Sequence, residues 1–278
     1  MVNGFVKVVG KNWSMSIELS RAGFDRRQKV IELVEKNPVY CYEEDSILSV
    51  IDKIIEKGHR RLPVVTKSKK LVGIITTMDI LGAFLRNHDF KEPISSIMNR
   101  EVIFCDAEEI LGNVLLKFKF SRRGGLPIVK NGVLVGMISE RDLVRRFASL
   151  EFGVKVEEVM TKKPFYVNSK ISIIDVLKIM VNTGYRRFPV VENGKLVGIV
   201  TSADLLYYLR EINFNPSLLS IQIFPKFEKE VYYVKKEMDV SEAIKEMIKH
   251  DVGGLPVVDD EKNLEGIITE RDILEEII

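Results

Sequence analysis

Apolar and polar positions follow one order along this chain, and the order recurs four times. Each unit opens on a short run of β-branched and aromatic residues: P-V-Y-C-Y from 38, E-V-I-F-C from 101, P-F-Y-V from 164 and E-V-Y-Y-V from 230. Apolar residues at helical spacing follow, such as Ile47, Ile51, Ile54 and Ile55, or Ile173, Val176, Leu177 and Met180. Two more apolar runs come next, split by turn residues. In the second and third units the split is Asn131-Gly132 and Asn193-Gly194, a pairing that favours a tight hairpin turn. A helical apolar segment closes each unit (I-L-G-A-F-L, L-V-R-R-F, L-L-Y-Y-L, I-L-E-E-I). The pattern predicts β-α-β-β-α four times over, an α/β (α+β) chain, with capping-box starts at Ser172/Asp175 and Asp239/Glu242.

A fixed skeleton runs through the second half of each unit. A proline (Pro63, Pro127, Pro189, Pro256) opens an apolar run, a glycine (Gly73, Gly136, Gly198, Gly266) follows nine or ten residues later, and an aspartate (Asp79, Asp142, Asp204, Asp272) comes six after that. The units also alternate. One and three carry Arg60-Arg61 and Arg186-Arg187 before the proline and end T-T-M-D or T-S-A-D; two and four carry Gly124-Gly125 and Gly253-Gly254 and end S-E-R-D or T-E-R-D. A unit of this size cannot bury both of its helices alone, so neighbours must pair. Linker length would place the boundary at Glu211 to Lys229; the alternation pairs one with two and three with four, and we follow it. The expected organisation is a pair over 38–147 (units 38–90 and 96–147) and a pair over 158–278 (units 158–210 and 226–278). Residues 1–37 form an N-terminal extension with Val30, Ile31, Leu33 and Val34 on a short helix and a basic half of Arg21, Arg26, Arg27 and Lys29.

At 278 residues, 46% of them apolar, the chain is long enough for two domains, and 42 basic against 40 acidic side chains leave a formal charge of only +2. No global field invites nucleic acid or an anionic membrane, so any basic site must be local. The absence of a long apolar run or a cleavable leader predicts a cytoplasmic protein with no membrane partner. Cys41 and Cys105 each stand 22 residues before their unit's proline, where the other units have Val167 and Val234, which predicts packed strand residues rather than a disulfide or metal pair. The three histidines, His59, His88 and His250, have no metal-ligand spacing, and neither a phosphate loop, a dinucleotide fingerprint nor a nucleophile elbow is present. No metal, no catalytic cofactor and no enzymatic activity are expected.

The apolar β-run, R-x-P or G-L-P, and G-I-x-T-x-x-D at this spacing resemble the cystathionine-β-synthase (CBS) domain over roughly residues 38–278. The resemblance implies that tandem repeats associate through their sheets into pseudo-twofold pairs with two clefts each, and that two pairs form a flat disc like the γ subunit of AMP-activated protein kinase, which binds AMP, ADP or ATP. It implies that Asp79, Asp142, Asp204 and Asp272 accept hydrogen bonds from ribose hydroxyls, a role that suits an acceptor-only carboxylate. Thr76, Ser139, Thr201 and Thr269 stand three residues earlier, at a helix start whose free N–H groups favour anions. The same T-x-x-D is also a capping sequence, and the two roles are compatible. Each cleft is expected to cross its pair. The Asp142 cleft then meets His59, Arg60, Arg61 and its own Arg141, and the Asp272 cleft meets Tyr185, Arg186, Arg187 and Arg271. The Asp79 and Asp204 clefts meet Arg123, Gly124, Gly125 and Val252, Gly253, Gly254, where glycine permits close backbone approach. The planar fork of arginine suits phosphate. The expected function is a non-enzymatic, energy-sensing regulator that binds AMP, ADP or ATP and signals to an effector protein, with a homodimer left open. The rivals are another adenosyl ligand such as S-adenosylmethionine, and a scaffold for protein or nucleic acid.

Overall fold

The computed structural model describes residues 25–34, 37–150, 152–224, 226–227 and 230–278. The first unit runs β1 (Cys41–Tyr42), α1 (Ile47–Lys57), β2 (Arg61–Val65), β3 (Leu71–Thr76) and α2 (Thr77–Leu85). The second repeats it as β4 (Cys105–Asp106), α3 (Leu111–Ser121), β5 (Gly125–Lys130), β6 (Val133–Ser139) and α4 (Glu140–Arg146). A short α5 (Val156–Val159) and β7 (Thr161–Lys162) lead into β8 (Val167–Asn168), α6 (Ile173–Thr183), β9 (Arg187–Glu192), β10 (Lys195–Thr201) and α7 (Ser202–Glu211). The fourth has α8 (Val240–Lys249), β11 (Gly254–Val258), β12 (Leu264–Thr269) and α9 (Glu270–Ile277). Its opening run is reduced to a single parallel bridge between Val234 and Val257.

In the other three units a parallel first strand and an antiparallel hairpin make a three-stranded sheet. Asn131-Gly132 and Asn193-Gly194 turn two of the hairpins with positive φ at both residues, the geometry that matches strand twist. Cys41 lies opposite Val64, Cys105 opposite Ile128 and Val167 opposite Val190, so the equivalent positions share one register. Both cysteines are buried and free, and burial pushes both thiols up to about 12.

Hydrogen bonds tie the sheets two by two. Leu71 N–H donates to the Gly132 carbonyl (3.1 Å) and Leu134 N–H to that of Lys69 (3.0 Å), joining units one and two. Leu196 N–H donates to the Lys262 carbonyl (2.9 Å), joining three and four. The opening residues of units two and three cross over in the same way. Asn99, near the start of unit two, bridges Ile74 of unit one, and β7, at the start of unit three, pairs with β12 of unit four. Two exposed residues with no apolar pattern gave β7 no signal in the sequence. The stretch 29–34 docks Val30 into the core of unit two as a 3-10 turn over Val30–Glu32, shorter than the helix expected there. Of its basic residues, Arg21 lies outside the described residues. In the long 211–229 connection, Leu219 and Ile223 are buried in a core, and Gln222 bridges Ser172.

Apolar packing runs at right angles to these bonds in the logic of the chain. One core joins units one and three, with Ile51, Leu62, Ile80, Phe188 and Leu205; the other joins two and four, with Leu115, Phe147, Ile244, Leu255 and Ile273. Each such side chain contributes roughly 1.5–3 kcal/mol when fully buried. Helices α2 and α7 meet in the first core, where the buried hydroxyls of Thr77 and Ser202 lie 3.0 Å apart; α4 and α9 meet in the second. Among the described residues no helix is long and apolar enough to cross a membrane, and no group of His, Cys, Asp and Glu is arranged for a metal ion.

Candidate functional site

All four signature aspartates sit at the third position of the unit's last helix and close a capping box with the hydroxyl residue before it. Asp79 Oδ2 accepts from Thr76 N–H at 2.8 Å and Thr76 Oγ1 at 2.6 Å, and Ser139/Asp142, Thr201/Asp204 and Thr269/Asp272 repeat the arrangement. On Asp79 and Asp142 these bonds fall on one carboxylate oxygen, which leaves the other oriented for a further donor. Asp272 Oδ1 accepts from Thr161 Oγ1 at 3.2 Å. Burial raises the Asp272 pKa, against the lowering effect of its bonds to Thr269 and Thr161.

Ser139 and Asp142 line a cavity of about 1160 Å³ together with His59, Arg60 and Arg61, and Thr269 and Asp272 line the same cavity together with Tyr185, Arg186 and Arg187. Two separate clefts were expected; they open into one chamber. Ten lysines and arginines line it against six carboxylates, so a chain nearly neutral overall concentrates positive charge here. A second cavity of about 180 Å³ is lined by Thr201, Val252, Gly253 and Gly254 together with Arg60, Arg186 and Arg187. Thr76 and Asp79 line neither cavity, and Arg123 is exposed outside both, its neighbour Arg122 lining the large one instead.

The alternation of arginine and glycine pairs has a packing cause. A Cβ built on Gly124 would lie 2.7 Å from Arg61 Nη2 and 3.1 Å from Arg186 Nη1, and one on Gly253 would lie 2.9 Å from Arg60 Nη1. Gly125 likewise makes room for Arg61, and Gly254 for Arg187. The space beside these glycines holds guanidinium groups, while Gly124, Gly253 and Gly254 also line the cavities. Arg61 and Arg187 fill it within the linked units, whereas Arg60 and Arg186 reach across to the other two.

Burial of these cations lowers their pKa values, and repulsion among them adds to it. Burial, then the neighbouring Arg186, brings Arg61 down to about 10; burial, then Arg60, does the same to Arg187. Arg60 and Arg186 are lowered too, with burial the main cause. Arg61 Nη1 is buried with no hydrogen-bond partner among the described residues. A buried, unpaired charged donor is destabilising on its own account.

Arg141 and Arg271, expected to face phosphate beside their own aspartates, line the chamber and are also engaged by carboxylates there. Arg141 donates to Glu270 (2.8 Å) and to Asp251 (2.8 Å); Arg271 pairs with Glu140 (2.7 Å) and donates to the Arg122 carbonyl (2.6 Å). Glu140 and Glu270, the first residues of α4 and α9, are buried. Burial raises the Glu140 pKa, with Arg271, Arg186 and Arg61 opposing. Sequence reading missed both glutamates, although the E in S-E-R-D and T-E-R-D marks only units two and four. It missed Phe165 as well, whose ring stacks on Tyr185 at 6.5 Å in the chamber wall. His88 and His250 lie outside both cavities, each beside a glutamate on its own segment.

The CBS domain model matches residues 30–86, 94–149, 156–211 and 227–278. Protein MJ1225 of Methanocaldococcus jannaschii is 29% identical over 277 residues, covering 90% of this chain and 98% of that protein. A 33.4 kDa protein of the ribosomal RNA operon of Thermofilum pendens is 29% identical over 260 residues, covering 81% and 84%. The crystal structure of MJ1225, described as a candidate archaeal homologue of γ-AMPK, superposes with a TM-score of 0.84 at 28% identity over 90% of this chain and all of that one. With four matched domains spanning most of its length, the chain belongs to the CBS domain family.

Proposed function

We propose that this protein is a non-catalytic regulator that binds adenine nucleotides in the arginine chamber and passes their occupancy to an effector protein. CBS domains are a regulatory module for adenosyl ligands; the finer choice of AMP, ADP or ATP rests on charge. The observation that carries it is the buried Arg61 Nη1 without a partner, set in a cluster of arginines that crowd one another. Phosphates would neutralise that cluster, in the planar, bidentate geometry that arginine favours. The ribose would take the unused oxygen of Asp142 and a place beside Asp272, while Ser139 and Thr269 keep those carboxylates aimed. Tyr185 and Phe165 offer one base an aromatic wall.

We further infer two regulatory pairs, 38–147 and 158–278, from the hydrogen bonds and crossed segments that link units one with two and three with four. A ligand shifts a conformational equilibrium only by its different affinity for two states. The output is therefore placed at the contact between pairs, where chamber residues Glu140, Arg271, Arg141 and Glu270 meet. Calorimetric titration with adenosine, AMP, ADP, ATP and S-adenosylmethionine tests the reading. Affinity rising with phosphate number supports it; S-adenosylmethionine binding with no nucleotide binding replaces the ligand class, and no binding at all favours a scaffold.

A further inference from the structure

The two ends of the contact between pairs are built differently from equivalent positions. Thr77, Glu140, Ser202 and Glu270 each open the last helix of their unit. Between units one and three the position is neutral, and Thr77 bonds Ser202 at 3.0 Å. Between units two and four it is charged, and two reciprocal ion pairs cross: Glu140 to Arg271 at 2.7 Å and Glu270 to Arg141 at 2.8 Å. Helix contact at this position therefore needs no charge. The glutamates also face more than their own partner. Glu270 Oε2 and Arg60 Nη1 both lie within 3 Å of where a Cβ on Gly253 would stand, at 2.6 and 2.9 Å. Glu140, at 6% exposure, lies close enough to Arg61 and Arg186 to act on both electrostatically.

We propose that Glu140 and Glu270 are resident competitors for the anion that the chamber attracts. Each carboxylate engages an arginine from the opposite pair, and a ligand must outbid it to recruit that arginine. This deepens the nucleotide reading and rests on it for the identity of the ligand. A monophosphate finds enough charge in Arg60, Arg61, Arg186 and Arg187. A longer polyphosphate reaches Arg141 and Arg271 only by displacing glutamate, so the two carboxylates decide how strongly added phosphates are rewarded. The same displacement removes ion pairs from one end of the contact between pairs and leaves the Thr77–Ser202 end alone.

The test uses the full chain with Glu140→Gln, Glu270→Gln and both, titrated with adenosine, AMP, ATP and inorganic tripolyphosphate. Glutamine keeps the oxygen acceptor for arginine and removes the charge. The double variant is expected to bind tripolyphosphate and ATP on the order of tenfold tighter, AMP by less, and adenosine unchanged. Unchanged or weaker tripolyphosphate binding overturns the proposal, as does an equal gain for adenosine, or tripolyphosphate binding to no form. If adenosine and nucleotides fail to bind the unsubstituted protein but the tripolyphosphate gain persists, the competition stands and the adenine reading falls. If nucleotides bind and the glutamine variants match the parent, the competition falls alone. Should the variants not fold, infrared difference spectra of the parent protein with isotope-labelled glutamate serve instead. Tripolyphosphate should shift the carboxylate bands; their constancy overturns the proposal.

Discussion

The guanidinium of Arg61 fills the space that a side chain on Gly125 would need. Gly254 stands in the same relation to Arg187, so an alternation visible in the sequence as R-R against G-G is a steric fit repeated in both halves of the chain. The two glycines differ in what else surrounds them. Near Gly125 the other close atom is the flexible end of Met137 at 3.1 Å, whereas near Gly254 the backbone carbonyl of Ile268 and the methyl of Thr269 both lie at 3.0 Å.

Gly125→Ala should therefore cost little stability, under about 1 kcal/mol, because Arg61 and Met137 are able to swing away. Gly254→Ala meets backbone and should cost about 1–3 kcal/mol, the range of overpacked cores. Urea denaturation measures both. Equal costs would show that the arginine, not the backbone, sets the limit.

How far the sequence carried varies with distance along the chain. The Pro, Gly and Asp skeleton, the Asn-Gly turns and the paired capping residues are local, so their spacing reported hairpins and helix starts correctly. Equivalence with Val167 and Val234 places Cys41 and Cys105 on strands, and the register agrees. The meeting of Arg141 with Glu270 spans 129 residues and joins opposite pairs, and no local pattern encodes it. The arginines were assigned to separate clefts because residue equivalence says which unit a side chain leaves, not how far a long side chain reaches. Arg60 at Gly253 is the case in point.

Thr77 and Ser202 provide a measure of the contact between pairs that is free of charge. Their hydroxyl bond is buried, so a double-mutant cycle with Thr77→Ala and Ser202→Ala should give a coupling of about 0.5–1.5 kcal/mol. Each single variant should cost more than half of the double, since it strands the other hydroxyl. Strict additivity would place the two residues in separate folding units.

The thiols of Cys41 and Cys105 give a pH prediction. Both are raised from 9.0 to about 12 by burial, so the folded state holds its thiol protons over a range where the unfolded chain releases them. The stability they confer is complete below about pH 9 and declines as pH rises from there toward 12. Replacing both by valine, the residue at the equivalent position of the third unit, should flatten that decline. Alkylation at pH 8 should be negligible until denaturant is added; rapid labelling of native protein would contradict their burial.

Arg61 poses the sharpest conflict between stability and function. Its charge is buried, one nitrogen lacks a partner, and the strongest neighbouring charge is another arginine, Arg186, which Glu140 only partly offsets. Replacing it by methionine keeps an unbranched apolar stem and removes the charge, and apolar replacement of poorly compensated buried charges stabilises by about 1–4 kcal/mol in other proteins. Arg61→Met should accordingly raise the unfolding midpoint of the ligand-free protein. It should also weaken ATP by about 1.5–3 kcal/mol, the worth of a charged hydrogen bond, while adenosine affinity stays the same. The stability gain should shrink when the comparison is made in saturating ATP, because ligand stabilises only the folded state and does so more for the parent. Thermal scans without ligand, with ATP and with adenosine measure these quantities. A variant less stable than the parent without ligand would mean that Arg61 is compensated by a partner and that the chamber is an ion-pair network rather than an anion site.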